Sequence, residues 1–342
     1  MNSKRSLKLI FKIAGIILAI SVGGLFFICS YRERGFHMEK ETRFMMDTFV
    51  TIEAVGPKSV TAKAMRLAFE RMEAVDAKFN PLNPESAAYA FNVKNEPITD
   101  PEVSGLVSFA LEMSRNFDGA FDITVGPLLK LWGFTDKHYR LPSDEEIKNI
   151  LPAVGYRHLR ITGQKLEKDN PDTAIDLGGI AKGYALKKAI EVLRANGVTS
   201  ALVNAGGDIY ALGKKGNKLW RVGIKDPRGE ELLGYVEVED IAVMGSGDYE
   251  RFFIKDGKRY HHIFNPKTGY PTQEVMAVTL LCSDPVKGQV LAKIPFVMGL
   301  DEGLKRLRSI QGVEMAVFDS EGKAFYSAGL KHALTLFPAG IN

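Results

Sequence analysis

The sequence predicts an α+β protein, and two patterns carry that prediction. Helical and extended segments are mixed along the chain without regular strand–helix–strand alternation, which argues against a doubly wound parallel sheet. Extended segments then dominate from about residue 200 onward. The 342 residues, 45% of them hydrophobic, suffice to bury a substantial core in one large domain or two smaller ones.

The elements follow in order. Residues 48–54 are rich in β-branched side chains and read as a strand. Residues 60–79 place Met65, Leu67, Ala68, Met72 and Val75 at helical spacing. Residues 80–85 hold two prolines and form a loop, and residues 103–113 return to an amphipathic helix. The helix predicted over 181–196 closes on Asn196–Gly197, a residue pair suited to a C-cap. Strands are expected at 200–204, 219–224, 235–238, 260–264 and 276–282. Residues 285–298 read as a helix disturbed by Pro295, and 315–318 and 324–327 as closing strands. There is no fixed-period repeat and no low-complexity tract.

The N-terminus is organised differently. Residues 1–12 form a basic segment expected to stay cytoplasmic, and 13–30 are an uncharged, mostly apolar run near membrane-spanning length. Such a run is either a cleaved signal or a retained transmembrane anchor. Ile28 before Cys29, where a lipoprotein signal has a small residue, and the lack of a small-x-small cleavage site favour the anchor. Residues 31–43 read as a polar tether, leaving 44–342 as the globular body on the far side of the membrane. Residues 1–35 carry a net charge of +5 within a chain total of +4, so the body is close to neutral. A near-neutral body gives no sign of a nucleic-acid surface. Cys282 is the one cysteine beyond the anchor, which rules out a disulfide within the body.

The richest stretch for chemistry is 174–185, AIDLGGIAKGYA. Asp176 precedes the Gly178–Gly179 pair, which permits close main-chain approach, and a helix then opens with Lys182. A helix N-terminus with a lysine suits an anion such as a phosphate; a plain strand-to-helix turn with an exposed lysine is the other reading. Other glycine-bearing turns follow apolar segments: 119–127, 204–208 (NAGGD), 245–249 (GSGDY) and 261–269 (HHIFNPKTG). Turn chemistry explains any one of them. Together they suggest a cleft lined by backbone, fit for a large polar ligand with phosphates and rings.

In order, AIDLGGIAKGYA, FDITVGPLLKLWGF, ALVNAGGDIYALG, WRVGIKDPR, SGDYERFF and HHIFNPKTGYP resemble the ApbE family of exported, membrane-anchored flavin transferases. The resemblance runs from about Met45 to the last strands. It implies a mixed α/β fold with an FAD cleft between two sub-layers, preceded by the anchor. It also implies cleavage of FAD with Mg²⁺, transfer of FMN through a phosphoester to a Thr or Ser of a target protein, and release of AMP. The acceptor would be a flavoprotein subunit of a membrane redox complex, and the setting the periplasmic face of the inner membrane. By motif position, Met46, Ala120, Phe121, Asp122, Asp176, Lys182, His262 and Ile263 would contact FAD. Gly179 would offer its backbone oxygen to the metal.

The chain departs from that pattern in the segment 278–299, VTLLCSDPVKGQVLAKIPFVMG. Where the family has a metal-liganding Asp, this chain has Gln289; where it has a liganding Thr, Lys293. Gln loses the carboxylate charge, and a protonated lysine cannot be a ligand. At a spacing of four the two side chains project from one helix face. An ammonium there can take the metal's place and neutralise the pyrophosphate, or it can leave FAD bound but uncleaved. Asn265 also replaces a usual Asp, and Leu82 a usual aromatic. The catalytic candidates are Asp176, Lys182 and Lys293, with Gly179, Gln289 and Lys293 at the metal position. An FMN transferase is expected, with an exported FAD-binding protein or an FAD pyrophosphatase as alternatives.

Overall fold

A computed structural model describes residues 37–229 and 231–337. Its centre is an eight-stranded sheet in the order His37–Met45, Thr48–Gly56, Ala201–Ala205, Asp208–Leu212, Ile241–Gly247, Val275–Cys282, Glu314–Asp319, Ala324–Tyr326. Every pairing in it is antiparallel, in keeping with the α+β class.

Both faces of this sheet are covered, so strand alternation sends side chains into two different cores. Ala242 and Met244 enter the larger core with Val278 and Leu280, whereas Val243, Ala277 and Leu281 enter the second. The larger core lies under the helices Lys58–Phe79, Pro101–Asn116, Ala181–Ala195 and Pro285–Leu291. The second lies under a three-stranded sheet, Trp220–Lys225, Leu232–Val238 and Leu334–Leu336. A third, aromatic cluster joins Leu128, Trp132, Phe134, Ile147 and Phe264. Trp132 is its pivot: the indole is fully buried, rests against Phe253, Tyr260, Phe264 and Tyr270, and donates to the Gly269 carbonyl at 3.1 Å.

The helix Ala181–Ala195 ends as the sequence predicts. Gly197 has φ +83°, its N–H reaches the Arg194 carbonyl and the Val198 N–H reaches that of Leu193, each at 3.0 Å, which is a Schellman closure. The 285–298 segment is two helices rather than one. Pro295 has no N–H for the Leu291 carbonyl, so Pro285–Leu291 stops and Ile294–Met298 begins anew, with Lys293 at the junction. The strand expected at 260–264 is Lys258–His261, paired with Phe252–Lys255.

The tether reading fails over 37–43: His37–Met45 is a full edge strand. Its sequence, HMEKETRFM, shows no apolar face because the strand is exposed along most of its length and is held by backbone pairing and ion pairs. One of these joins Lys40 to Glu53 at 2.8 Å. Met46 and Asp47, both at φ +56°, form the two-residue turn to the next strand. The expected anchor at 13–30 lies outside the described residues. Among those described, no helix is long and apolar enough to cross a membrane.

Candidate active site

The chemistry-bearing residues gather at the seam between the helical layer and the aromatic cluster, around the N-terminus of the Ala181–Ala195 helix. That end is built by short-range bonds. Asp176 takes the Gly178 N–H at 2.9 Å on its carboxylate and gives its own N–H to the Ile123 carbonyl at 2.7 Å. Burial raises the Asp176 pKa above the ordinary carboxylate value, against the opposing pull of the Gly178 N–H and the Arg251 charge. The first turn of a helix leaves N–H groups without partners, and here Gln289 supplies one. Its Oε1 accepts the Gly183 N–H at 2.7 Å and its Nε2 donates to the Gly178 carbonyl at 3.3 Å. Gly183 is required for this contact, because a Cβ there would run into the Pro285 carbonyl.

Lys182 turns from the same helix end toward Asp208, with Nζ 2.9 Å from Oδ2. That carboxylate is only 2% exposed; its Oδ1 takes the Gly245 N–H at 3.0 Å, and the lysine is the sole partner of Oδ2 among the described residues. Burial works to lower the Lys182 pKa, but the Asp208 charge and hydrogen bond, with Glu250 behind, outweigh it and hold the ammonium above its usual value.

Lys293 approaches from the helix junction. Its side chain passes beside Gly179 and Phe121, and its Nζ donates to the Gln289 main-chain oxygen at 2.8 Å. Burial, opposed by Asp208 and assisted by Lys182, lowers its pKa to about 8. His262 sits half-buried near Lys293 and Arg251. Burial and then the charges of Arg251, His261 and Lys293 push it down to about 3, so the imidazole is neutral. Its Nδ1 lies 3.3 Å from the Arg251 carbonyl, which can only accept; the proton is therefore on Nδ1 and Nε2 carries a free lone pair.

The other predicted site residues are placed as follows. Ala120 lines a cavity of about 230 Å³ with Asn265, Lys267, Val297 and Met298, and the ring of the next residue, Phe121, lies 3.3 Å from where a Cβ on Gly179 would stand. Asp122 is buried, with one oxygen on the Thr124 N–H and hydroxyl and the other on the Tyr156 N–H, so its carboxylate braces the loop. Ile263 is in the main core and its N–H and carbonyl are taken by His261 and Thr272. Met46 stands at the hairpin tip, its N–H 3.4 Å from Asp76. Leu82 is exposed. Sequence reasoning gave no role to Asp208 or Arg251. Asp208 follows a diglycine and looks like an ordinary turn residue until strand pairing sets it beside Gly245.

A divalent ion does not suit these donors. Gln289 has its amide oxygen bonded to Gly183, Lys293 presents an ammonium, Asp208 is paired with Lys182, and Asp176 has a carboxylate oxygen on the Gly178 N–H. No group of three or more His, Cys, Asp or Glu placed to hold a metal occurs among the described residues. A divalent ion 4 Å from an ammonium is repelled by about 8 kcal/mol at an effective dielectric constant of about 20.

A glycine-walled helix end with Lys182 in its first turn and Lys293 beside Gly179 is a site of the class suited to a phosphate-bearing ligand. Residues 46–317 match the model of the ApbE family, and the chain belongs to that family. It is 30% identical over 303 residues to the FAD:protein FMN transferase of Treponema pallidum, covering 82% of this chain and 84% of that one. To the FAD:protein FMN transferase of Vibrio cholerae it is 32% identical over 268 residues, covering 76% and 78%. Among solved structures, the ApbE protein of Thermotoga maritima superposes with a TM-score of 0.82 at 34% identity, covering 87% of this chain and 99% of that one. The Vibrio cholerae flavin transferase ApbE follows at 0.77 and 29%, covering 87% and 100%.

Proposed function

We propose that this chain is an FAD:protein FMN transferase. The observation that carries the reading is the Lys293 side chain beside Gly179 at the start of the helix that bears Lys182, with the Arg251 charge acting on Asp176 and His262, within a span shared with relatives of that name. The glycines let the FAD pyrophosphate lie against the main chain, and the cations offset its charge. The acceptor hydroxyl, a Thr or Ser of the target protein, attacks the FMN phosphorus. An O–P bond forms as the bond from that phosphorus to the bridging oxygen breaks, and AMP leaves with the bridging oxygen and its electron pair. The hydroxyl proton passes to His262 Nε2 and on to solvent; the pyrophosphate charge raises the basicity of that imidazole once FAD is bound.

The acceptor is a flavoprotein subunit of a membrane redox complex. Residues 13–30 anchor the chain in the inner membrane with residues 44–342 on the periplasmic face, a reading supported by the upstream cations. The test is mass spectrometry of an acceptor peptide incubated with the protein and FAD, with and without Mg²⁺. A gain equal to FMN on a Thr or Ser, with AMP released, is expected. FAD held without any gain would instead select the binding-only reading, which the loss of a carboxylate at position 289 favours; free FMN and AMP would select hydrolysis.

A further inference from the structure

Lys293 is a half-buried cation without a carboxylate. Its Nζ donates to the main-chain oxygen of Gln289 at 2.8 Å, and among the described residues no carboxylate oxygen lies within 4.0 Å of it. Lys182 next to it has Asp208 at 2.9 Å. Charged groups withdrawn from water are normally paired, so a lone ammonium in a glycine-walled recess is a place kept for an anion. The recess is the right one: the Lys293 Cε lies 3.5 Å, and a Phe121 ring carbon 3.3 Å, from where a Cβ on Gly179 would stand. Gln289, one helical turn earlier, is committed to Gly183 and Gly178 and serves to fix the helix end rather than to receive an ion.

We propose that the Lys293 ammonium performs here the task a divalent ion would perform at the same point, neutralising the FAD pyrophosphate beside Gly179, so that FAD binding and FMN transfer by this chain require no metal. The inference rests on the flavin-transfer reading above, and the bonds that form and break are the same. The difference lies in the charge that grows on the bridging oxygen as AMP departs: an N–H of Lys293 meets it with a hydrogen bond. The ammonium keeps its proton, and the single proton released comes from the acceptor hydroxyl.

The test uses the full chain, purified and freed of metal by EDTA. FAD affinity is measured by flavin fluorescence in EDTA and in millimolar Mg²⁺, alongside FMN transfer to an acceptor peptide in both. FAD should bind in EDTA, with affinity changed less than about twofold by Mg²⁺, and Lys293→Met should weaken that binding about tenfold or more, as expected for loss of a charged hydrogen bond. Gln289→Asp combined with Lys293→Thr should acquire a Mg²⁺ requirement for tight FAD binding. A tenfold or greater tightening of the natural chain by Mg²⁺ would overturn the proposal, and so would unchanged binding by a Lys293→Met variant whose thermal midpoint matches the natural chain. The comparison of the natural chain with and without metal depends on no variant folding. Transfer absent under both conditions would refute the transferase reading, while the binding comparison still decides the role of Lys293.

Discussion

Two glycine-to-alanine substitutions, at Gly183 and Gly105, should move stability in opposite directions, and the contrast tests how the active-site helices are held. Each glycine lies in a helix, where alanine is favoured by up to about 1 kcal/mol. At Gly105, on the exposed side of Pro101–Asn116, a Cβ meets nothing within 4 Å, so that gain should appear in full. At Gly183 the Cβ collides with the Pro285 carbonyl oxygen and stands 2.9 Å from its carbon and 3.1 Å from Gln289 Oε1. A backbone carbonyl cannot rotate away, so the Pro285–Leu291 helix must retreat by about 1 Å. Overpacking of this kind costs about 1–3 kcal/mol and the strained Gly183–Gln289 hydrogen bond about 1 more. Against the propensity gain the net loss is about 2 kcal/mol. For a body of roughly 300 residues, with an unfolding entropy near 0.6 kcal/mol/K, that is a fall of about 3 °C in Tm.

The same retreat carries Lys293 away from Gly179, and a misplacement of about 1 Å can reduce turnover by about 100-fold. Thermal unfolding followed by circular dichroism, with FMN transfer measured on the same samples, checks both effects. Gly183→Ala should lose a few degrees and most of its activity; Gly105→Ala should gain stability and keep its activity. A Gly183→Ala chain as stable and as active as the natural one would refute the claim that close approach of the two helices sets the position of Lys293.

Two further expectations concern the body. Trp132→Phe removes the hydrogen bond to Gly269 and part of a fully buried ring, and should cost about 1–3 kcal/mol in urea unfolding; an unchanged midpoint would show that the aromatic cluster does not depend on it. Burial, with the Asp284 charge, pushes the Cys282 thiol up to about 12, against about 8.5 in an unfolded chain. Because the folded value is the raised one, this group's contribution is intact below about pH 8.5 and is lost as pH rises toward 12. In a Cys29→Ser chain, Ellman's reagent should therefore find no reactive thiol at pH 8 until urea is added; rapid reaction of the native protein would contradict the burial.

Much of this fold was legible because burial on one face leaves a period in the sequence. Helix Lys58–Phe79 and strand Trp220–Lys225 both show it, and the Asn196–Gly197 stop states its own geometry. His37–Met45 was not legible, since an exposed edge strand carries charges where a buried one carries apolar residues. Helix Asp144–Ile150 was missed despite an available signal, the capping box of Ser143 and Glu146. In the site, the residues that the sequence sets side by side share a local motif: Asp176, Gly179 and Lys182 lie within one short segment, and Gln289 and Lys293 within another. Asp208 and Arg251 depend instead on which strands and loops pack together, and one sequence does not contain that.

A lysine is in general a poor substitute for a bound ion, because its long side chain loses rotamer freedom when fixed. Here that loss is met in the resting protein. The stem is confined beside Gly179 and Phe121, the ammonium is held by the Gln289 carbonyl, and the helix break before Pro295 fixes the direction from which it enters. Asp208 completes the arrangement by pairing with Lys182 and moderating the repulsion between two lysines that share one recess. A charge positioned before the ligand arrives needs little reorganisation when the pyrophosphate bond breaks, and this is the condition under which electrostatic stabilisation is strongest. The substitutions at 289 and 293 therefore belong together: the glutamine secures the helix end that the lysine then faces. Restoring one family residue without the other should leave a weaker site than either natural pair, with Gln289→Asp alone drawing Lys293 into an ion pair and away from FAD.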